Sequence, residues 1–186
     1  MIVGITGAAG AGKSTAARFL AKNHGFLVLE MPDPLKDMLG ALYRRFGLPK
    51  EEIDRRLHGD LKRAPCAFLG GRSPTYAMQQ LGHEWGRVSI DPDLWARCWG
   101  VQVGRLPADT CVANSSIRYR NEAEQVRRYG GHMIRILRGE PDPFVDLDHP
   151  SEREWETMPV DFEVHNDGTE ADLERKMREI IEGLSD

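Results

Sequence analysis

The chain has 186 residues, with 25 Lys/Arg against 29 Asp/Glu and a net charge of −4. That length suits one domain with a small insertion, and 40% hydrophobic residues supply a core that a disordered chain lacks. The mildly acidic balance speaks against general binding to nucleic-acid backbones, and no apolar run approaches the roughly 18 residues of a membrane span.

Ile2 to Thr6 reads as a buried strand that flows into glycines, and residues 13–23 read as a helix with Ala16, Phe19 and Leu20 on one face. The start is too short for a signal peptide, so a cytoplasmic protein is expected. Phe26 to Leu29 reads as a second buried strand. After Pro32 and Pro34 comes a helix carrying Leu35, Met38, Leu39 and Leu42. Residues 44–63 are locally basic, with seven Lys/Arg against four Asp/Glu. Pro74 opens a helix with Leu81, Trp85 and Val88 at helical spacing, and Leu81 and Trp85 read as core. Asp91-Pro92 precedes another helix through Leu94, Trp95, Cys98 and Val101. Thr110 to Ala113 is the third strand, residues 121–128 a helix, and Met133 to Leu137 the fourth strand.

Residues 139–163 hold nine Asp/Glu and one Arg. Asp161 to His165 reads as a short fifth strand, and Thr169 opens the last helix. Cys66, Cys98 and Cys111 have no metal-like spacing and read as reduced thiols. Strands alternating with helices predict an α/β fold, a five-stranded parallel sheet covered on both faces. The expected layout is a single domain over 1–186, with a helical insertion at about 33–104 and a lid loop at about 138–160.

Gly7-Ala8-Ala9-Gly10-Ala11-Gly12-Lys13-Ser14 matches G-x-x-x-x-G-K-[ST] at every fixed position, between a strand and a helix. Small residues let the backbone curl so that successive N–H groups face phosphate oxygens, and the helix start adds its positive dipole end. Lys13 reaches the β- and γ-phosphates, the Ser14 hydroxyl suits Mg²⁺, and Thr15 is placed for the α-phosphate. ATP and Mg²⁺ are the expected cofactors; the loop does not name the acceptor.

Several residues offer themselves for the acceptor. Asp33 follows the second strand, where its carboxylate could hold an acceptor hydroxyl or a metal-bound water, or else cap the next helix. Lys36, one turn on, suits an acceptor phosphate. Arg118 follows the third strand, on the edge where open parallel sheets bind ligands. Arg138 ends the fourth strand and suits an ATP clamp. Arg72 and Lys62 are further cations in the insertion.

Gly59-Asp60-Leu61-Lys62, Leu69-Gly70-Gly71-Arg72-Ser73-Pro74 and Gln79 to Arg87 resemble the bacteriophage deoxynucleoside monophosphate kinases. So do Ile117 to Glu124, Gly130-Gly131, His149-Pro150-Ser151-Glu152 and Asn166-Asp167-Gly168-Thr169, in family order over nearly the whole chain. The resemblance implies transfer of the ATP γ-phosphate to a deoxynucleoside monophosphate, in the cytoplasm of an infected cell if phage-encoded. It implies that Gln79, Glu84 and Arg87 lie along a helix lining the monophosphate pocket. It also implies that Asn166 and Gly168 pack against adenine, and that small nucleotides are the partners, with a homodimer left open. Two positions depart from the family pattern: Thr75 stands where an arginine is usual, and Ser116 where an aspartate is usual. Another acceptor (a modified nucleotide, dephospho-coenzyme A, a nucleic acid end) and a nucleotide-binding protein without turnover stay open on the residues alone.

Overall fold

The computed structural model describes residues 1–139 and 154–184. Most of the anticipated lid, including His149, Ser151 and Glu152, lies outside the described residues. The chain divides into two compact units, one of Met1–Met31 with Ala96–Asp186 and one of Pro32–Trp95.

The first unit is built on a five-stranded sheet of Ile2–Thr6 (β1), Leu27–Val28 (β2), Val112–Asn114 (β3), His132–Leu137 (β4) and Phe162–His165 (β5). The strand order is β2-β3-β1-β4-β5 and every pairing is parallel. Apolar side chains alternate between the two faces, as burial on both sides requires. Val3, Ile5, Ala113, Ile134 and Ile136 pack with Ala16 and Leu20 of Lys13–His24 (α1) and Leu173 and Met177 of Glu170–Gly183 (α7). On the other face, Val112 and Met133 pack with Trp99 of Leu94–Val103 (α5) and Val126 of Arg120–Arg128 (α6). This three-layer arrangement is the α/β fold expected.

The second strand departs from expectation. It is two residues long, and Leu27 and Val28 are 43% and 36% exposed rather than buried. β2 is the outermost strand, paired on one side only, so its apolar run marks an edge and not the sheet centre.

The second unit contains Asp33–Arg45 (α2), Lys50–Leu57 (α3), two short 3₁₀ turns and Pro74–Gln79 (α4). Leu39, Tyr43, Ile53, Leu57 and Cys66 form its core. Burial pushes the Tyr43 phenol pKa upward. Met38 and Leu42 point outward, because the buried stripe of α2 runs through Leu35, Leu39 and Tyr43.

From Gln80 to Ile90 the winding widens into a π-helix with i→i+5 bonds. The expected single helical face of Leu81, Trp85 and Val88 therefore fails. Trp85 is 42% exposed and Val88 65%, because a 3.6-residue period no longer describes the segment. The core aromatic here is Trp95, whose Nε1 donates to the Gly82 carbonyl at 2.8 Å. Its ring lies where a Cβ on Gly86 would sit, so only glycine allows this approach. Among the described residues no helix is long and apolar enough to cross a membrane.

Candidate active site

The phosphate loop connects β1 to α1 at the carboxyl ends of the strands. Gly7, Gly10 and Gly12 all have positive φ, at 137°, 82° and 106°. A Cβ on Gly7 would collide with the Ile136 carbonyl of β4, and one on Gly12 would come within 2.5 Å of Asn166 Nδ2. Both glycines thus meet two demands at once, a left-handed backbone and a crowded wall. Ala11 N–H donates to the Ala8 carbonyl at 3.2 Å and closes the turn. Ala8 and Ala9 are half-buried, and Ser14 is exposed at the helix start beside half-buried Thr15, whose Oγ1 accepts from Arg18. No side chain caps α1 and its first turn carries no acidic residue. Its opening N–H groups and dipole therefore favour an anion.

Lys13 is only 8% exposed, and its Nζ donates to the Gly7 and Ala8 carbonyls at 2.7 Å each. An ammonium held at this loop is suited to phosphate oxygens.

Asn166 occupies the loop after β5, and its Nδ2 donates to the Ala11 carbonyl at 2.8 Å. The side chain is buried against the phosphate loop, while Gly168 is exposed beside it. Asp167 is exposed; a bond from its own backbone N–H, then Lys176, lowers its carboxyl pKa. Thr169 caps α7 by accepting from the Asp172 N–H at 3.2 Å. Asn166 therefore fastens the loop with its side-chain amide. Asn166→Ala should raise the KM for nucleotide roughly tenfold, since a lost buried hydrogen bond is worth about 1–3 kcal/mol. Initial-rate kinetics with nucleotide and acceptor varied in turn check this, with the acceptor KM expected to stay within twofold.

Arg118 is half-buried just past β3, and its backbone N–H donates to Glu122 Oε2 at 2.8 Å. Arg138 is exposed at the end of β4. The loop residues 7–15, Asn166, Gly168, Arg118 and Arg138 thus all belong to the first unit, at the carboxyl edge of its sheet.

The other expected residues lie in the second unit. Asp33 and Lys36 meet there, with Lys36 Nζ 2.9 Å from Asp33 Oδ1 in the first turn of α2. Pro32, not Asp33, stands at the cap position, so capping is not the role of Asp33. Arg72 is exposed with its guanidinium 5.0 Å from the Tyr76 ring centroid. Gln79 ends α4 half-buried, and Glu84 is exposed in the π-helix. Arg87 is 9% exposed and its Nη1 donates to the Pro92 carbonyl at 2.8 Å, an anchor for the turn after the π-helix. The basic excess of 44–63 is partly consumed internally, in the pairs Lys50–Asp54, Arg56–Glu52 and Arg55–Asp60. Thr75 Oγ1 donates to the Lys62 carbonyl, so the residue in place of the usual arginine ties down the turn.

Glu30, just beyond β2, belongs to no motif of the sequence. Its Oε2 accepts from the Ser115 N–H at 2.8 Å and its Oε1 from the Ser115 hydroxyl at 2.5 Å. The available signal was a lone carboxylate between two apolar residues at a strand end. Ser116, in place of the usual aspartate, uses its Oγ to accept from the Met31 N–H and to donate to Asn114 Oδ1.

No protein-family profile matches the chain. The chain is 30% identical over 170 residues to an Acanthamoeba polyphaga mimivirus protein described as "Putative deoxynucleotide monophosphate kinase". That alignment covers 85% of this chain and 83% of the viral one. Among solved structures, a gluconokinase from Sinorhizobium meliloti aligns at TM-score 0.50 and 14% identity, over 98% of this chain and 94% of that one. Shikimate kinase from Aquifex aeolicus aligns at 0.47 and 12%, over 100% and 98%. The parallel sheet, the glycine-lysine loop and the viral relative together define a P-loop kinase. Within that class, the chain belongs to the family of the mimivirus protein. The match is to a viral protein and does not extend to the bacteriophage attribution drawn from the motifs.

Proposed function

We propose that the protein is a Mg²⁺- and ATP-dependent deoxynucleoside monophosphate kinase. The observation that carries this reading is the 30% identity to the viral relative over most of both chains. The built phosphate loop supports it, and so do the family motifs that run along this sequence.

Lys13 and the amides of 7–15 hold the ATP phosphates. Arg118 and Arg138 neutralise charge spread over the equatorial oxygens of the transferring group. Asp33, Lys36, Arg72, Gln79, Glu84 and Arg87 serve the acceptor. The acceptor phosphate is already ionised at neutral pH, so the reaction needs orientation more than a strong general base. Water must be kept from the γ-phosphate during transfer.

The donor set suits magnesium. Ser14 presents a hard oxygen at the first turn of α1, and Mg²⁺ is commonly held by one or two protein oxygens, waters and substrate phosphates. The lack of any cluster of three or more His, Cys, Asp or Glu ligands among the described residues fits that mode of binding. When bound at Ser14, the ion would offset negative charge on the phosphates.

The test is a panel of deoxynucleoside monophosphates with ATP, read as ADP release, with ribonucleotides as controls. Turnover with at least one deoxynucleotide is expected, at least tenfold faster in kcat/KM than with its ribo counterpart. ADP release only with dephospho-coenzyme A or an oligonucleotide 5′ end would replace the acceptor. Tight ATP binding without turnover on any acceptor would remove the enzyme reading.

A further inference from the structure

We infer that Thr6 is a positioning residue, whose hydroxyl sets where Arg118 stands relative to the phosphate loop. The assignment deepens the kinase reading above and rests on the role given there to Arg118.

Thr6 is the last residue of β1 and directly precedes Gly7. The rest of β1 is Ile2-Val3-Gly4-Ile5, and Thr6 puts a hydroxyl at a point with 0% exposure. A buried hydroxyl is costly unless it finds a partner. Thr6 finds one 111 positions away, where its Oγ1 donates to the Ile117 carbonyl at 2.9 Å.

The sheet explains why a side chain is used there. Pairing of β1 with β3 runs from Ile2 opposite Val112 to Gly4 opposite Asn114 and then stops. Pairing of β1 with β4 continues to Thr6 opposite Arg135. Past Asn114 the chain has left the ladder, so the backbone of Thr6 is paired on the β4 side alone. Its hydroxyl takes over from the ladder and ties the departing chain to the end of β1.

The bond falls on the peptide unit that precedes Arg118. The carbonyl of that unit accepts from Thr6, and its N–H, which is that of Arg118, donates to Glu122 Oε2 at 2.8 Å. Both polar ends of one peptide plane are therefore held by side chains, one from the strand that feeds the phosphate loop and one from α6. Glu122 is 4% exposed, and the same Oε2 accepts from the Tyr119 N–H at 3.2 Å. Ile117 is buried in the cluster with Val126 and Met133. The backbone at Arg118 cannot turn or withdraw without breaking one of these bonds.

Arginine carries much rotamer freedom, so the place of its guanidinium depends first on a fixed Cα. A cation that meets charge on a transferring phosphoryl group gains from being held in place beforehand. Thr6 supplies a common reference for the two parts, joined to Gly7 by a covalent bond and to the Arg118 peptide by a hydrogen bond. Threonine suits the task because branching at Cβ stiffens its χ1. Valine has the same shape without the donor, and serine has the donor without the branch.

The test compares, in the presence of Mg²⁺, the affinity of a non-hydrolysable ATP analogue with that of ADP. Isothermal titration calorimetry reads both across a double-mutant cycle of Thr6→Val and Arg118→Ala. The ratio of the two affinities isolates the γ-phosphate and needs neither an acceptor nor turnover. Each single substitution should lower the ratio about five- to tenfold, the size of one lost hydrogen bond of this kind, and leave ADP affinity within twofold. In the Arg118→Ala background, Thr6→Val should change the ratio less than twofold. Thr6→Ser should recover most of the wild-type ratio.

An unchanged ratio in Thr6→Val beside a loss in Arg118→Ala would overturn the positioning role and leave the reading of Arg118 standing. An equal loss of ADP affinity, or a full further loss in the Arg118→Ala background, would also overturn it, by showing that Thr6 acts on the loop and not through Arg118. An unchanged ratio in Arg118→Ala removes the role given to Arg118, and that of Thr6 with it. If Thr6→Val does not fold, Glu122→Gln, at the other end of the same peptide unit, takes its place in the cycle, with a loss of about two- to fivefold expected and the same outcomes deciding. Wild-type protein that binds the analogue but phosphorylates no deoxynucleotide overturns the acceptor reading alone.

Discussion

Lys13→Ala is expected to abolish phosphoryl transfer, with a fall in kcat of roughly 10³-fold or more and a folded protein left behind. A single preorganised cationic or amide donor at a transition-state oxygen is worth about 10²–10³ in rate. The phosphate-loop lysine also contributes to holding the nucleotide. Lys13 is buried over the loop with its ammonium on two carbonyls, so its removal also costs local hydrogen bonds of order 1 kcal/mol each. Circular dichroism should therefore show native secondary structure and a slightly lower melting temperature. Coupled ADP-release kinetics supply the decisive number, and turnover like wild type would sink the mechanism.

Gly7→Ala is expected to act on stability as well as activity. Gly7 sits at φ 137°, where side chains are strained, and the added methyl would meet the Ile136 carbonyl of β4. That carbonyl belongs to the central part of the sheet, so it cannot swing away as a flexible side chain would. Strain and crowding together should cost about 2–4 kcal/mol. For a chain of this size that corresponds to a melting temperature lowered by about 5–15 °C. Calorimetry on the two proteins measures it. A variant that melts with wild type would mean the loop relaxes without disturbing β4.

The sheet was readable because its strands are short apolar runs closed by glycines or prolines, and burial on both faces leaves that pattern in plain view. The phosphate loop was readable because its chemistry demands fixed residue types at fixed spacing. β2 misled because composition does not distinguish an edge strand from a central one; only the pairing of β3 with β1 on its other side does. Trp85 and Val88 misled because a π-helix shifts the buried face, and nothing local in Gln80–Ile90 announces the wider winding. The tie of Glu30 to Ser115 was not legible because its two ends lie 85 residues apart, at the ends of different strands. The ion pairs of α3 are local, four or five residues apart, but a count of charges over 44–63 shows the basic excess and not which side chains meet.

The hydrogen bond from Asn166 to Ala11 spans 155 positions of the chain. The phosphate loop is thus fastened by a residue far along the chain from it. During synthesis the glycine loop emerges well before the asparagine that fastens it. A nascent or shortened chain carries the motif without the finished cradle, so nucleotide retention reports completion of the fold as well as the presence of the loop.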